Sequence, residues 1–250
     1  MKTAQTLDGK WALITGGARR IGAQVTRHLH EAGANVAIHY RSSADDAVKL
    51  GSELNAIRPN SAATFKADLH DTDLLPQLID QVIKHSGRLD ILINNASSFY
   101  PTPLGDISEA SWNDLVGSNL KAPLFLSQAA FPFLRAHGGA IINMLDIHTR
   151  RPLRDHIVYG TAKAGLEMLT RSLAREMAPN VRVNGVSPGA ILWPEQGMSE
   201  DLQAKIIRET PLARNGNPDD IASCILYLVR DATFVTGQNI AVDGGRSLAW

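Results

Sequence analysis

The sequence predicts a single-domain α/β fold, in which a doubly wound parallel sheet of about seven strands carries helices on both faces. Short apolar runs alternate with longer amphipathic segments along the 250 residues, a rhythm typical of β-α-β units. Most of these runs are continuously apolar, as expected for strands that are buried on both faces. No repeat or low-complexity linker divides the chain, so we expect residues 1–250 to form one domain.

The individual elements can be assigned in chain order. The predicted strands are Trp11–Thr15, Val36–Tyr40, Ala63–Ala67, Leu89–Asn94, Ala140–Met144, Val181–Val186 and Ile240–Val242. One helix is predicted to begin at Asn217-Pro218, because Asn217 suits an N-cap, Pro218 suits the first helical position and two acids follow in the first turn. The other predicted helices run from Arg20 to Gly33, which takes the C′ position, over Ala44–Ile57, over Trp112–Ala136 with an interruption near Pro123, and over Val158–Ala178.

The composition excludes several classes of protein. The 25 basic and 25 acidic residues give a net charge of zero, whereas nucleic-acid binding needs a basic stripe. The single cysteine, Cys224, allows neither an intrachain disulfide nor a cysteine-rich metal site, and we expect no metal. No apolar run reaches about 18 residues, and the start MKTAQTLDGKW lacks the apolar centre of a signal peptide. We therefore expect a cytoplasmic protein that contacts no membrane.

The segment TGGARRIG, residues 15–22, joins the first predicted strand to the first helix. Glycines in such a loop let the backbone approach a phosphate, and the helix N-terminus favours the negative charge of that phosphate. Gly16 and Gly22 bracket the turn, while Arg20 stands where a third glycine is common. The position of this loop predicts a dinucleotide site.

The second strand runs into His39-Tyr40-Arg41-Ser42-Ser43. In sheets that bind NAD, an acid commonly follows this strand and accepts a hydrogen bond from the ribose 2′-hydroxyl. This chain has no acid there. An arginine and two hydroxyls suit a 2′-phosphate instead, because a guanidinium binds phosphate bidentately. The segment predicts NADPH as the cofactor, the alternative being a polar loop without a ligand.

Tyr159 and Lys163 are four residues apart, which places both side chains on one face of a helix. An ammonium near the phenol favours the phenolate, so we expect the pKa of Tyr159 to be lowered. Such a tyrosine can donate a proton near neutral pH. The spacing is common by chance, and an ordinary surface pair is the alternative.

With its neighbours, this pair resembles the short-chain dehydrogenase/reductase family from about Lys10 to Gly245. The resemblance rests on TGGARRIG, NNAS at 94–97, SNL at 118–120, YGTAK at 159–163, SPG at 187–189 and VDGG at 242–245. It implies a Rossmann-type fold and an Asn-Ser-Tyr-Lys active site, of which Asn119, Tyr159 and Lys163 match three members. Tyr159 would donate or organise the proton, Lys163 would bind the nicotinamide ribose, and Asn119 would help to hold a water-linked relay.

The resemblance also assigns residues to the cofactor. Asp68 matches a position that contacts the adenine, and the Pro188-Gly189 turn matches one beside the nicotinamide. The full implied set is Gly16, Arg19, Arg20, Ile21, Tyr40, Arg41, Ser42, Ser43, Asp68, Leu69, Asn95, Ala96, Tyr159, Lys163, Pro188 and Gly189.

One position departs from the family pattern. Where the family has its serine, before the tyrosine, this chain has Asp146 at the end of a predicted strand. Ligands bind at that edge of a parallel sheet. A serine hydroxyl only shares a hydrogen bond with a carbonyl, whereas a carboxyl group can deliver or relay a proton to a ring nitrogen. Asp146 therefore favours reduction of a C=N bond over reduction of a ketone.

Asp146, Arg20 and the run NNASSFYPTP at 94–103 together resemble the pteridine reductase branch of the family. The resemblance implies that Phe99 stacks on one face of a pterin and the nicotinamide on the other. Arg20 would reach from the cofactor phosphates to the exocyclic oxygen of the pterin. The implied activity is NADPH-dependent reduction of a pterin or folate, and the implied substrate contacts are Arg20, Ser97, Phe99, Asp146, Tyr159 and Trp193.

The sequence leaves several alternatives open. Trp193 lines the substrate pocket or packs at a subunit contact, and the cations His148, Arg150, Arg151 and Arg154 meet an anionic substrate tail or form a solvated or interface loop. The protein is a pterin reductase, a carbonyl reductase, or a catalytically silent NADPH-binding protein on the same scaffold. By analogy with the family we expect a homotetramer, with the apolar end Leu248-Ala249-Trp250 in a neighbour.

Overall fold

The structure is a computed structural model that describes residues 6–193 and 198–248. Its strands are β1 (Trp11–Ile14), β2 (Asn35–Tyr40), β3 (Ala62–Lys66), β4 (Ile91–Asn94), β5 (Ala140–Met144), β6 (Arg182–Pro188) and β7 (Asn239–Val242). All seven are parallel and form one sheet in the order β3-β2-β1-β4-β5-β6-β7. The predicted doubly wound α/β fold is confirmed, and every predicted strand overlaps an observed one.

Helices cover both faces of this sheet. They are α1 (Arg20–Glu31), α2 (Ala44–Ile57), α3 (Leu75–Ser86), α4 (Glu109–Val116), α5 (Ala122–Ala136), α6 (Ile157–Glu176), α7 (Glu200–Arg208) and α8 (Pro218–Arg230). The expected end of α1 is confirmed, since Gly33 follows the C-cap with a φ of +101°. The expected start of α8 is confirmed as well, since Asn217 and Asp220 form a capping box.

The apolar runs are continuous because the strands separate two hydrophobic cores. In β1, Ala12 and Ile14 face one core together with α1, α2 and α8. Trp11 and Leu13 face the other core together with α3 and α5. Leu13 and Ile14 are fully buried, and burial of each such side chain contributes about 2 kcal/mol.

The long helical segment differs from its predicted bounds. It begins at Glu109 rather than Trp112, because Ser108 and Ser111 form a capping box that starts α4 earlier. The expected interruption is a π-turn over Gly117–Lys121, directly before Pro123. Pro123 lacks the N–H that a regular helix would direct at the carbonyl of residue 119, so the helix widens there.

Two helices, α3 and α7, lie outside the predicted set. In α3, Leu75, Leu78, Ile79 and Val82 are buried at helical spacing, a pattern that the sequence does contain. The α7 helix begins at its N-cap Ser199 and buries no residue. Its apolar residues Leu202 and Ile206 are four residues apart, so this helix too has an amphipathic pattern.

The topology creates a crevice where β1 lies between β2 and β4. From β1 the chain continues outward to β2 and β3 on one side and later to β4 and β5 on the other side. The loops that follow β1 and β4 therefore diverge, and a gap opens beyond the carboxyl ends of these strands. Among residues 6–193 and 198–248, no helix has the length and apolar character needed to cross a bilayer.

Candidate active site

A cleft of about 480 Å³ opens at this crevice. Its lining comes from the loops after β1, β2, β3 and β4, as expected for ligand sites in open parallel sheets. The structure brings most of the predicted cofactor residues to it. Those that line it are Gly16, Arg19, Arg20, Ile21, Tyr40, Arg41, Ser42, Ser43, Asp68, Leu69, Asn95 and Ala96, joined by Ser97 and Phe99 from the predicted substrate set.

The glycine loop has backbone requirements that explain its sequence. Gly16 has a φ of +59°, and a Cβ on Gly22 would overlap the carbonyl oxygen of Gly16. Arg20 also has a positive φ, +52°, at the first residue of α1. A left-handed non-glycine residue costs about 1 kcal/mol, which is why glycine is common at this position. Arg20 keeps its long cation in the cleft in spite of that cost.

Thr15 fixes the loop to the end of β4. Its Oγ1 accepts hydrogen bonds from the backbone N–H of Asn95 at 2.8 Å and of Ala96 at 2.9 Å. The Asn95 amide donates to the carbonyl oxygens of Thr15 and Gly16 at 2.8 and 3.1 Å. The side chain of Asn95, predicted to bind cofactor, thus shapes the loop that forms the cleft floor.

His39 is a residue that the sequence reasoning missed. Its Nδ1 accepts from the N–H of Gly16 at 3.1 Å, and its Nε2 lies 3.2 Å from the carbonyl of Ala67. Burial lowers the pKa of His39 to about 4, so the ring is neutral with its hydrogen on Nε2. It joins the glycine loop to the end of β3. Its place in HYRSS, next to the predicted phosphate residues, was the available signal.

Beyond β2, the cleft is bordered by Arg41, Ser42 and Ser43. The Arg41 Nη1 lies 3.5 Å from Nδ1 of His70. The carboxylate of Asp68 accepts from the backbone N–H of His70 at 3.0 Å and pairs with the His70 ring at 2.8 Å. These hydrogen bonds hold the pKa of Asp68 below its usual value, and the bond from the backbone N–H of His70 has the largest effect. His70 was not predicted, and it connects Asp68 with Arg41.

Asp146 and Tyr159 meet at the carboxyl end of β5. The Tyr159 hydroxyl donates to Oδ2 of Asp146 at 2.7 Å. Oδ1 of Asp146 accepts from the backbone N–H of His148 at 2.8 Å, at the start of a 3₁₀ turn over Ile147–Thr149. Two donors therefore orient the carboxylate, and one proton lies between it and the phenol oxygen.

The predicted direction of the Tyr159 pKa is wrong in this structure. Burial, followed by the charge of Asp146, raises the pKa of Tyr159 well above its ordinary value. A carboxylate in direct contact opposes a phenolate, and the ring is 5 % exposed. The Lys163 ammonium, 5.7 Å from the ring centroid, is too distant to reverse these effects. Tyr159 is thus a hydrogen-bond donor throughout the neutral range.

Lys163 is buried one helical turn from Tyr159. Its Nζ donates to the backbone carbonyl of Met144 at 2.7 Å. Burial lowers the pKa of Lys163 to about 8, against a smaller opposing effect of Asp146. The amine is therefore mostly charged at neutral pH and close to its titration range.

Asn119 lies in the π-turn and is fully buried. Its Nδ2 donates to the carbonyl oxygens of Ser98 at 2.9 Å and Leu115 at 3.0 Å, and its Oδ1 accepts from the Ser97 hydroxyl at 2.6 Å. The side chain thus holds the segment after β4 rather than touching Tyr159 or Lys163.

Phe99 stands at the entrance with one face already covered. Its ring stacks on His156 at 4.8 Å and 20°, and meets Tyr159 edge-on at 4.8 Å. Phe99 is still 51 % exposed, so its remaining surface is open beside the Asp146–Tyr159 pair. His156 was not predicted, and it sets the orientation of the aromatic ring.

The remaining predicted residues frame the far side of the site. Pro188 ends β6, and Gly189 donates its N–H to Val242 at 3.0 Å. Trp193 is half-buried, and its carbonyl accepts from Nη2 of Arg20 at 3.3 Å. Residues 194–197 after it, and the C-terminal pair 249–250, lie outside the described residues. In the described part of the chain, no three His, Cys, Asp or Glu side chains are grouped to hold a metal ion.

Comparisons with known proteins agree with this geometry. A family model described as enoyl-(acyl carrier protein) reductase matches residues 16–247. Pteridine reductase 1 of Leishmania tarentolae is 40% identical, over 95% of this chain and 96% of that protein. The 3-oxoacyl-(acyl-carrier-protein) reductase FabG of Staphylococcus aureus is 36% identical, over 94% and 97%.

A solved structure extends the likeness to three dimensions. A protein from Sinorhizobium meliloti described as a short-chain alcohol dehydrogenase superposes with a TM-score of 0.92 at 31% identity, covering 98% of this chain and 99% of the other. The cleft at the end of β1, the Tyr159–Lys163 helix and these matches lead to one conclusion. The chain is an oxidoreductase that belongs to the short-chain dehydrogenase/reductase family.

Proposed function

We propose that the protein reduces the pteridine ring of pterins or folates with NADPH. The observation that carries this proposal is the 2.7 Å hydrogen bond between the Tyr159 hydroxyl and the Asp146 carboxylate. It places one proton, shared between two oxygens, at the sheet edge beside the half-exposed ring of Phe99. A ring nitrogen needs a proton donor of this kind when the adjacent C=N bond is reduced.

The cleft suits a nicotinamide dinucleotide. A Cβ at Gly22 would overlap the carbonyl oxygen of Gly16. Glycine at this position therefore keeps the loop compact, so that its backbone can approach a phosphate closely. The N-cap residue Arg19 has no acceptor atom, so its side chain does not cap the first N–H groups of α1. These groups suit the pyrophosphate, while Lys163 would bind the nicotinamide ribose. Pro123 has no N–H to donate to the backbone carbonyl of Asn119. Asn119 would hold the water of a proton relay.

A preference for NADPH is supported by the end of β2. Arg41, Ser42 and Ser43 line the cleft there, and none of the four residues directly after the strand is an acid. A guanidinium forms charge-assisted hydrogen bonds with a phosphate dianion. An acid in this position would repel the 2′-phosphate of NADPH.

The residues of the chain then have separate tasks. The reduced nicotinamide, when bound, supplies a hydride. Phe99 holds the flat substrate ring by stacking, which fixes the distance and angle at the reacting carbon. Tyr159 and Asp146 share one proton that a substrate nitrogen approaching either oxygen can take. The Lys163 ammonium, a helical turn away, stabilises the negative charge left on this pair. Arg20 and Ser97 would bind polar atoms of the pterin, and Trp193 would close the pocket.

The competing candidate is a carbonyl reductase, favoured by the likeness to FabG at 36% identity. Steady-state rates with NADPH and a panel of biopterin, dihydrobiopterin, folate, dihydrofolate, ethyl acetoacetate and acetoacetyl-CoA separate the two. We expect kcat/KM for at least one pteridine to exceed that for both carbonyl compounds by about tenfold or more. Turnover of the carbonyl compounds alone would refute the proposal, and no turnover of any compound would indicate a silent NADPH-binding protein.

We propose in addition that the protein is a homotetramer. Three large apolar side chains are exposed to solvent and could contact another subunit. They are Met168 on α6, Tyr227 on α8 and Phe234 after α8, which are 59%, 50% and 103% exposed. Contiguous apolar surface marks contact sites, and the expected number of four subunits comes from the resemblance to the family. Light scattering should give the mass of four 27.1 kDa chains, and a monomer would contradict the proposal.

A further inference from the structure

A smaller pocket lies beside the turn that follows Asp146. It has a volume of about 170 Å³. His148 and Arg151 line it from the turn after β5, while Glu209, Arg246 and Ser247 line it from the end of α7 and the C-terminal turn. None of these residues has a task in the proposed hydride or proton transfer.

The pocket adjoins the proposed reaction centre through one residue. The backbone N–H of His148 donates to Asp146, and His148 is also one of the residues that line the pocket. His148 Nδ1 also donates to the carbonyl of Arg151 at 2.9 Å, which fixes the turn that carries the arginine. The pocket therefore begins one to two residues along the chain from Asp146, the residue that a substrate ring would meet.

The chemistry of the pocket is that of an anion site. Arg151 Nη1 donates to the carbonyl of Arg246 at 3.4 Å, and Arg246 Nη1 donates to the carbonyl of Ile206 at 3.0 Å. A guanidinium has five N–H donors, so these backbone bonds leave donors on both forks for another acceptor. Arg246 has a side chain that is only 20% exposed, which strengthens its pairing with an anion.

Glu209 sets the size of the charge that fits. Its carboxylate lies 3.6 Å from Arg246 and 3.8 Å from Nζ of Lys205, so it offsets part of the positive charge around the pocket. A phosphate dianion would meet stronger repulsion from Glu209 than a single carboxylate would.

We propose that this pocket binds the carboxylate of a substrate tail, so that the protein favours pteridines with a carboxylate-bearing side chain over pteridines with a neutral one. The inference rests on the proposed function and specifies its substrate class. Arg151 and Arg246 are the cations that would form hydrogen bonds with the tail, and Glu209 limits the affinity.

The kinetic test compares dihydrofolate, which has a glutamyl tail, with dihydrobiopterin, which has none. In Arg151→Gln, we expect the ratio of KM for dihydrofolate to KM for dihydrobiopterin to rise about fivefold. In Glu209→Gln, we expect this ratio to fall about twofold, because the internal competitor is gone. Arg154→Gln is the matched control, since Arg154 is 95% exposed and pairs with Asp155. An unchanged ratio in Arg151→Gln, or an equal rise in the control, would overturn the proposal.

A binding test keeps the pocket separate from the reaction. Titration of p-aminobenzoylglutamate into the NADP⁺-loaded protein should show binding that weakens about fivefold in Arg151→Gln. If the unaltered enzyme reduces neither pteridine, the proposed function fails while this titration still decides the pocket. No binding to the unaltered protein, or tighter binding of inorganic phosphate than of p-aminobenzoylglutamate, would overturn the carboxylate assignment.

Discussion

The buried amine of Lys163 should make the cofactor-free protein more stable at alkaline pH than at neutral pH. Lys163 is 3% exposed, and burial lowers its pKa from 10.5 to about 8. Below pH 8 the folded state must keep a buried ammonium, so the penalty is complete there. Between pH 8 and 10.5 the unfolded chain holds more protons than the folded one, and stability therefore rises with pH.

The size of this effect follows from the shift. A change of this size corresponds to about 3 kcal/mol, and about 2 kcal/mol of it should be relieved between pH 7 and pH 9.5. A limit of pH 9.5 keeps most of Tyr159 protonated in the unfolded chain, so its own raised pKa adds little. Lys163→Met removes the amine and should remove this part of the pH dependence.

Urea unfolding of both proteins from pH 7 to pH 9.5 measures the difference directly. Lys205→Met is the matched control, because Lys205 is 63% exposed on α7 and its removal should leave the pH dependence unchanged. Equal pH dependence in Lys163→Met and in the unaltered protein would refute the reasoning about the buried ammonium.

Three further substitutions test the cofactor and substrate sides of the cleft. Arg41→Ala should remove most of an NADPH preference of at least about tenfold, measured as the Kd ratio of NADPH to NADH; equal affinities in the unaltered protein would contradict it. Gly22→Ala should weaken NADPH binding about tenfold or more, because its Cβ overlaps the loop, whereas the control Gly160→Ala meets open space. Arg20→Gly suits the left-handed backbone but should raise KM for dihydrobiopterin about fivefold; an unchanged KM would remove Arg20 from the substrate site.

Much of the fold was accessible from sequence because strands and cores obey local patterns. The continuous apolar run Trp11–Ile14 identifies a strand that is buried on both faces, and Asn217 with Pro218 identifies a helix start. The α3 helix has a readable apolar pattern that the prediction passed over. The α7 helix also has an amphipathic pattern, although it buries no residue. The early start of α4 is harder to predict, because it depends on a serine pair whose hydrogen bonds are not specific to helices.

The sequence indicated which residues lie together in the candidate site better than it indicated their chemistry. The motif positions brought Asp146, Tyr159 and Lys163 together at one sheet edge, as expected. The direction of the Tyr159 pKa depended on burial and on which charge lies nearer, and spacing along the chain contains neither. His39 and His156 escaped for a similar reason: a histidine that positions a loop or a ring is recognisable only by its contacts.

The most direct test of the account is the rate of dihydrobiopterin reduction by NADPH in the unaltered protein and in Asp146→Ser and Tyr159→Phe. We expect measurable turnover in the unaltered protein and a loss of roughly a hundredfold or more in kcat for each variant, with the Kd of NADPH within about twofold of its original value. Near-normal kcat in both variants would contradict the claim that the Asp146–Tyr159 pair delivers the proton to a pteridine.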